Sequence, residues 1–279
     1  MAMTKTIVIT GASDGIGKAA ARILHAQGHQ VVLIGRSRAK TEALARELDS
    51  AYYIADFSKL AEVRKLGRSL KHDYKKIDVL ACNAGGIFSD RVVTVDGFER
   101  TFQVNFLAHF LLTGLLMDTL VRSHATIIAT SSAANRFNRF SIDDLNAQKH
   151  YAKWAVYGNA KLEMAMFARE LNRRYAKKGI ASASFHPGVV STSFSRDLGP
   201  VLRFIFNSRL MRVFGIVKPE QGADTLVWLA TSEPGTDWQP GNYFYRRKKT
   251  RTDSKAYDKR LGSELWNRSE DMLSDKLEY

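Results

Sequence analysis

The chain is predicted to fold as a single α/β domain, a doubly wound parallel sheet with helices on both faces. Three observations predict it. Short β-branched or apolar runs alternate with helix-periodic segments along most of the 279 residues. The first run, Thr6–Thr10 (TIVIT), passes directly into the glycine-rich turn TGASDGIG, and a helical stripe through Ile16, Ala20, Ile23 and Leu24 follows. No internal repeat or low-complexity linker interrupts the pattern, so residues 1–245 are read as one domain and 246–279 as a charged tail with a short helix near Leu261–Leu273.

Strand, glycine-rich turn and helix is the setting in which a dinucleotide pyrophosphate is bound. Gly11 allows a tight turn, Gly15 a close backbone approach to phosphate, and Gly17 close packing of helix on sheet. The helix N-terminus adds unpaired N–H groups and a positive dipole end, which makes Ser13, Asp14, Gly15, Ile16 and Gly17 candidate cofactor contacts.

The second strand is Gln30–Gly35. In dinucleotide-binding sheets an acid near this strand's end binds the ribose hydroxyls. Here the chain reads Gly35-Arg36-Ser37-Arg38-Ala39-Lys40. Arg36 and Ser37, with Arg38 or Lys40, suit a phosphomonoester, so NADP(H) is expected rather than NAD(H), although Asp14 adds a negative charge to the loop. A helix over Lys40–Leu48 leads to a third strand, Ala51–Ala55, and then to Asp56 and Phe57, both candidate cofactor contacts. Asp56 fits either an adenine amino group or the N-cap of a helix over Ser58–Leu70, and the two roles are compatible. The fourth strand, Ile77–Ala81, ends in Cys82-Asn83-Ala84-Gly85-Gly86, small residues that let the backbone pass close to a cofactor at Asn83, Ala84 and Gly85.

Gly97–Val121 reads as a long apolar helix lying on the sheet. Asn105 is unfavourable at its middle, which points to a specific role, whereas His109 is assigned to packing. The fifth strand, Ala125–Thr130, ends in Ser131-Ser132, at the carboxyl edge where open α/β sheets bind ligands. A further helix, Trp154–Arg174, carries Tyr157 and Lys161 four residues apart and so on one face. A free phenol has a pKa of about 10, and an adjacent ammonium lowers it toward neutrality, which makes a workable acid/base. The sixth strand, Ile180–Phe185, is followed by His186-Pro187-Gly188-Val189-Val190-Ser191-Thr192. Residues 193–217, apolar with arginines all round, read as a flap over an apolar substrate, with membrane-surface contact as the lesser reading. Pro219–Thr231 is another helix and Asn242–Tyr245 a last strand.

Composition narrows the classes. One cysteine, Cys82, excludes an internal disulfide and fits a reducing cytoplasm, where the protein is expected to reside. The seven histidines lack metal-ligand spacing, so no metal is expected. No signal peptide is read at the N-terminus, and no apolar run approaches the ~20 residues of a membrane span. The net charge of +14 gathers at Arg169–Lys178 and Arg246–Arg251. Without aromatic interleaving these clusters read as solvated surface, and no nucleic-acid partner is expected.

The ordered set TGASDGIG, Asn83-Ala84-Gly85, Asn105, Ser131-Ser132, Tyr157-x-x-x-Lys161 and Pro187-Gly188-Val-Val-Ser-Thr192 resembles the short-chain dehydrogenases/reductases from Thr6 to about Tyr245. The resemblance implies a Rossmann-type fold and a catalytic tetrad of Asn105, Ser132, Tyr157 and Lys161. Ser132 is chosen over Ser131 because the small-residue turn follows it. It also implies cofactor contacts from Pro187, Gly188 and Val190, and from Thr192 to the nicotinamide carboxamide. Asn105 would support a water relaying protons to Lys161. The 25 residues from Ser132 to Tyr157 exceed the usual family spacing and resemble the retinol-dehydrogenase-like and WW-domain-oxidoreductase-like group, as do NFLAHFLLT and KPEQGADTLVWLA. The implied activity is NADP(H)-dependent hydride transfer on a hydrophobic aldehyde, ketone or alcohol, with pairing of the two long helices across a homodimer. A cofactor-bound sensor or scaffold without turnover is the alternative, and the complete tetrad disfavours it.

Overall fold

In the computed structural model, which describes residues 3–190 and 216–274, the strands alternate with helices in the expected order. They are β1 (Thr6–Thr10), β2 (Gln30–Gly35), β3 (Tyr52–Ile54), β4 (Val79–Cys82), β5 (Thr126–Thr130), β6 (Ala181–Phe185), β7 (Val189–Val190), β8 (Ile216–Val217), β9 (Tyr243–Tyr245) and β10 (Lys248–Thr250). The helices are α1 (Gly15–Ala26), α2 (Arg38–Leu48), α3 (Leu60–Asp73), α4 (Arg100–Arg122), α5 (Lys153–Tyr175), α6 (Pro219–Thr231) and α7 (Lys259–Ser274). The main sheet runs β10-β9-β6-β5-β4-β1-β2-β3, parallel throughout except for the antiparallel β9–β10 pair. The chain winds outward from β1 to β3, then restarts at β4 on the other side of β1, and the crevice at this switch point is where such sheets bind ligands.

Both faces of the sheet are buried, which is why its strands read as nearly continuous apolar runs. Val8, Val32, Leu80 and Ile127 face one core with α3, α4 and α5. Ile7, Leu33, Val79 and Ile128 face the other with α1, α2 and α6. A short parallel pair, β7–β8, stands outside the main sheet.

Two elements depart from the sequence reading. The basic run at 246–251, read as part of a charged tail, is solvent-exposed but forms the turn and second strand of a hairpin, with Tyr245 paired to Lys248. Arg246 and Arg247 both take positive φ, 48° and 60°, the geometry of a two-residue turn usually built from Asn-Gly. Arg247 is held there by a bidentate contact with Asp224. The second departure is α4. At 23 residues, with a mean hydropathy of 1.6 over its most apolar stretch, it is long and apolar enough to cross a membrane, contrary to the expectation that no run approaches that length. However, 67% of its most apolar stretch is buried inside the fold, as befits a core helix.

α7 closes one side of the molecule. Trp266 packs edge-on against Phe110 of α4 (4.8 Å between centroids) and stacks on Phe167 of α5 (5.9 Å). The Arg174 guanidinium lies 4.7 Å over the same indole. α7 thereby covers the Phe110 and Phe167 rings of α4 and α5 within the chain.

Candidate active site

The glycine loop lies across the carboxyl ends of β1 and β4. Gly11 has a φ of 66°, and a Cβ there would lie 2.8 Å from the Ala84 Cα, so only glycine lets the two segments cross. A Cβ on Gly17 would collide with the Gly11 carbonyl oxygen and lie 2.7 Å from Asn83 Nδ2. Thr10 ties the edges together: its hydroxyl accepts from the N–H groups of Asn83 (2.8 Å) and Ala84 (2.9 Å) and donates to the Ala81 carbonyl (3.0 Å). Asn83 Nδ2 donates to the Thr10 carbonyl at 3.0 Å, and Asn83 Oδ1 accepts from Thr130 at 3.3 Å. His109 is buried, and burial pulls its pKa down to about 4, so the neutral ring donates from Nε2 to the Ala84 carbonyl at 2.8 Å. Its packing role thus includes holding the loop.

Asp14 caps α1, accepting from the Gly15 N–H at 2.8 Å, while its other oxygen meets Lys40 Nζ at 2.5 Å. The negative charge in the loop is therefore matched from within the chain. The N–H groups of Ile16 and Gly17 remain among the first-turn donors that no intrahelical carbonyl reaches. Ser13 Oγ lies against Gly35, where an added Cβ would be 2.9 Å away.

At the end of β2 the basic residues separate into two groups. Lys40 is paired with Asp14 and Arg38 with Glu42 (2.9 Å). The exposed side chains of Arg36 and Ser37 have no hydrogen-bond or ion-pair partner among the described residues. Asp56 does not cap α3. Its Oδ1 accepts from the N–H (3.0 Å) and hydroxyl (2.8 Å) of Ser58, and Asp96 caps the helix by accepting from the Leu60 N–H at 2.9 Å. Phe57 is turned inward, edge-on to His109, leaving its backbone rather than its ring to meet a cofactor.

Asn105 sits in a five-residue π-turn, Gln103–Leu107, that interrupts α4. There its amide donates to the carbonyls of Gly86 (2.9 Å) and Thr101 (2.9 Å) and accepts from the Gly86 N–H (3.0 Å). A Cβ on Gly85 would strike Asn105 Oδ1 and lie 3.1 Å from Lys161 Nζ, so the Gly85 backbone passes directly over both side chains.

Tyr157 and Lys161 project from α5 beneath this loop, both buried. The Tyr157 hydroxyl hydrogen-bonds Ser132. Ser131 is engaged elsewhere: its hydroxyl donates to the Lys161 carbonyl at 2.6 Å. Lys161 Nζ lies 5.6 Å from the Tyr157 ring centroid, over its face, and donates to the Thr130 carbonyl at 3.1 Å. Burial pulls the Lys161 pKa down to about 8. Burial also raises the phenol, and the Ser132 bond works against that rise. Burial is thus the largest influence on the phenol, with the Lys161 ammonium lying over its ring. Pro187 and Gly188 (φ 86°) leave β6 beside this centre, and Val190 continues into β7. Thr192 and the expected flap up to residue 215 lie outside the described residues.

The sequence model for short chain dehydrogenases matches residues 5–201. The chain belongs to the short chain dehydrogenase family. It is 40% identical over 278 residues to a Streptomyces sp. (strain C5) protein that bears the name of a daunorubicin C-13 ketoreductase, covering 97% of this chain and 93% of that protein. It is 34% identical to retinol dehydrogenase 14 of Mus musculus, covering 96% and 86% of the two chains. A crystal structure of an uncharacterized protein from Mycobacterium paratuberculosis superposes with a TM-score of 0.77 at 26% identity, covering 97% of this chain and 93% of that one. The retinol-dehydrogenase-like resemblance and the oxidoreductase class are thereby supported.

Some residues of this site carry no sequence signal. Asn135, Tyr243 and Thr252, buried behind Ser132, are joined by hydrogen bonds across more than a hundred residues. Gly158, next to Tyr157, lets α5 approach the same segment, since a Cβ there would lie 2.7 Å from the Ala134 carbonyl oxygen.

Proposed function

We propose that this chain is an NADP(H)-dependent oxidoreductase that interconverts a carbonyl and an alcohol on a hydrophobic small molecule. The observation that carries the reading is the buried Tyr157–Ser132 hydrogen bond with Lys161 beneath it, at the carboxyl edge of the sheet and beside the glycine loop. The fit to a dinucleotide rests on Gly11 and Gly17, where a side chain would close the crossing, and on Gly85, whose backbone covers Lys161. When bound, the nicotinamide supplies or accepts the hydride.

The residues then divide the remaining work. Ser132 would hold the substrate oxygen and stabilise its developing charge. Tyr157 would donate its proton to that oxygen in reduction and take it back in oxidation. Lys161 would hold the nicotinamide ribose, and Asn105 would fix the loop above it. Gly15, Ile16 and Gly17 would meet the pyrophosphate. Asp56, with one carboxylate oxygen bonded to Ser58, keeps the other for adenine. Arg36 and Ser37, whose side chains have no partner among the described residues, would bind a 2′-phosphate. The names of the ketoreductase and retinol dehydrogenase relatives support a carbonyl/alcohol pair on a largely apolar skeleton.

The test is consumption of NADPH and NADH by purified protein with lipophilic aldehydes and ketones. NADPH is expected to be preferred. A charge-assisted hydrogen bond contributes about 1.5–3 kcal/mol, so Arg36→Ala should cost NADPH roughly 10- to 150-fold in apparent affinity and leave NADH nearly unchanged. A wild-type preference for NADH would overturn the reading of Arg36. NADPH turned over without net consumption would favour an isomerase or dehydratase.

A further inference from the structure

Resting on that functional reading, we propose that Asn135, Tyr243 and Thr252 are positioning residues for Ser132, so that the segment after β10 sets the geometry of the reacting centre. Asn135 is 1% exposed, and its amide makes four hydrogen bonds. Nδ2 donates to the Ser132 carbonyl at 2.6 Å and to the Tyr243 hydroxyl at 2.9 Å. Oδ1 accepts from the Thr252 hydroxyl at 2.9 Å and the Asp253 N–H at 3.3 Å. Two donors and two acceptor positions exhaust the group. Its orientation is dictated as well, because a backbone N–H only donates and a carbonyl only accepts.

Tyr243 completes the clamp. Having accepted from Asn135, its hydroxyl donates to the Ser132 carbonyl at 3.2 Å, so that carbonyl takes three donors, the Asn135 backbone N–H at 3.1 Å among them. The latch extends through Asn138, whose Nδ2 donates to the Asn135 carbonyl at 2.7 Å and to Asp253 Oδ2 at 2.8 Å. Lys255 Nζ reaches Asn138 Oδ1 at 3.2 Å. Thr252–Lys255 thus holds Asn135–Asn138 from one side, while α5 presses on Ala134 at Gly158 from the other.

The consequence falls on the Ser132 side chain. Its Oγ accepts from the Ala134 N–H at 3.1 Å and bonds Tyr157. With one acceptor position taken by the Ala134 N–H, the Ser132 hydroxyl keeps its proton and a second lone pair for Tyr157 and a substrate oxygen. A shift of the Ser132 backbone would break this arrangement without touching the dinucleotide crevice.

The experiment compares Tyr243→Phe, Asn135→Asp and Thr252→Val in wild-type and Ser132→Ala backgrounds. In the wild-type background, kcat is expected to fall about tenfold or more for Tyr243→Phe and Asn135→Asp and less for Thr252→Val, with unchanged NADPH affinity. In the Ser132→Ala background the same changes should have no further effect on residual turnover. An equal loss in both backgrounds, or unchanged kcat in the first, would overturn the proposal. Crystal structures of the wild type and of Tyr243→Phe give an arm that needs no turnover: Ser132 Oγ should lose its contact with Tyr157. A serine that stays in place overturns the positioning role, whereas absence of NADPH turnover by the wild type overturns the functional reading itself.

Discussion

Tyr157→Phe is expected to lower turnover by about 10²–10⁴-fold while leaving NADPH affinity within about twofold, because it removes one proton and keeps the ring. The phenol is 5% exposed, and its hydroxyl bonds Ser132. Phe preserves the packing on α5 and leaves the glycine loop untouched, so thermal unfolding should barely move. The pH profiles follow from the directions of the shifts. Burial raises the Tyr157 pKa, so the protonated form persists to higher pH than in a free tyrosine. Carbonyl reduction, which needs that proton, should therefore be flat across the neutral range. Alcohol oxidation needs the phenolate and should climb with pH. Lys161, pulled down to about 8, is an ammonium below that pH and loses its charge above it, so reduction should decline on the alkaline side. Retained turnover in Tyr157→Phe, or oxidation that does not vary with pH, would remove Tyr157 from the acid/base role.

Gly17→Val should be the most damaging single change in the glycine loop. A Cβ at Gly17 collides with the carbonyl oxygen of Gly11, and Asn83 Nδ2 is only 2.7 Å away on the other side. Neither neighbour yields freely. Gly11 is held in a positive-φ turn against Ala84, and Asn83 is bonded to Thr10. Overpacking of this kind costs ~1–3 kcal/mol before any loss of ligand contact. Because the same shift lifts the first turn of α1 away from the crevice, NADPH affinity should fall by about two orders of magnitude, equivalent to ~3 kcal/mol. Fluorescence titration with NADPH and a thermal melt would measure both effects. Wild-type affinity in this variant would mean that the helix and loop do not cross as described.

The parallel framework was legible because it depends on local signals. β1, β2 and α6 begin and end where their sequence patterns do, since apolar strand runs and Pro219 at a helix start mark them without tertiary help. The site residues on strand ends and on one helix face, such as Ser132, Tyr157 and Lys161, were readable for the same reason. What was not readable depends on partners distant in sequence. The β9–β10 turn uses two arginines where a glycine signal would be looked for, and Asp224, 23 residues earlier, helps to hold it. The charge of Asp14 looked adverse until Lys40 was placed against it, 26 residues away. Asp56 looked like a helix cap because Asp96, which caps α3 instead, lies 36 residues beyond Leu60. Asn135 carried no motif at all, because its meaning comes from Tyr243 and Thr252.

The aromatic cover supplied by α7 has a thermodynamic consequence. Phe110 and Phe167 would otherwise present a large apolar face, of the kind that proteins bury by association. Here Trp266 reaches that face on a tether belonging to the same chain. A partner's contribution to stability follows mass action and fades on dilution, whereas a tethered segment acts at a fixed effective concentration. The protection that α7 gives to this face is therefore the same in a dilute solution as in a crowded one.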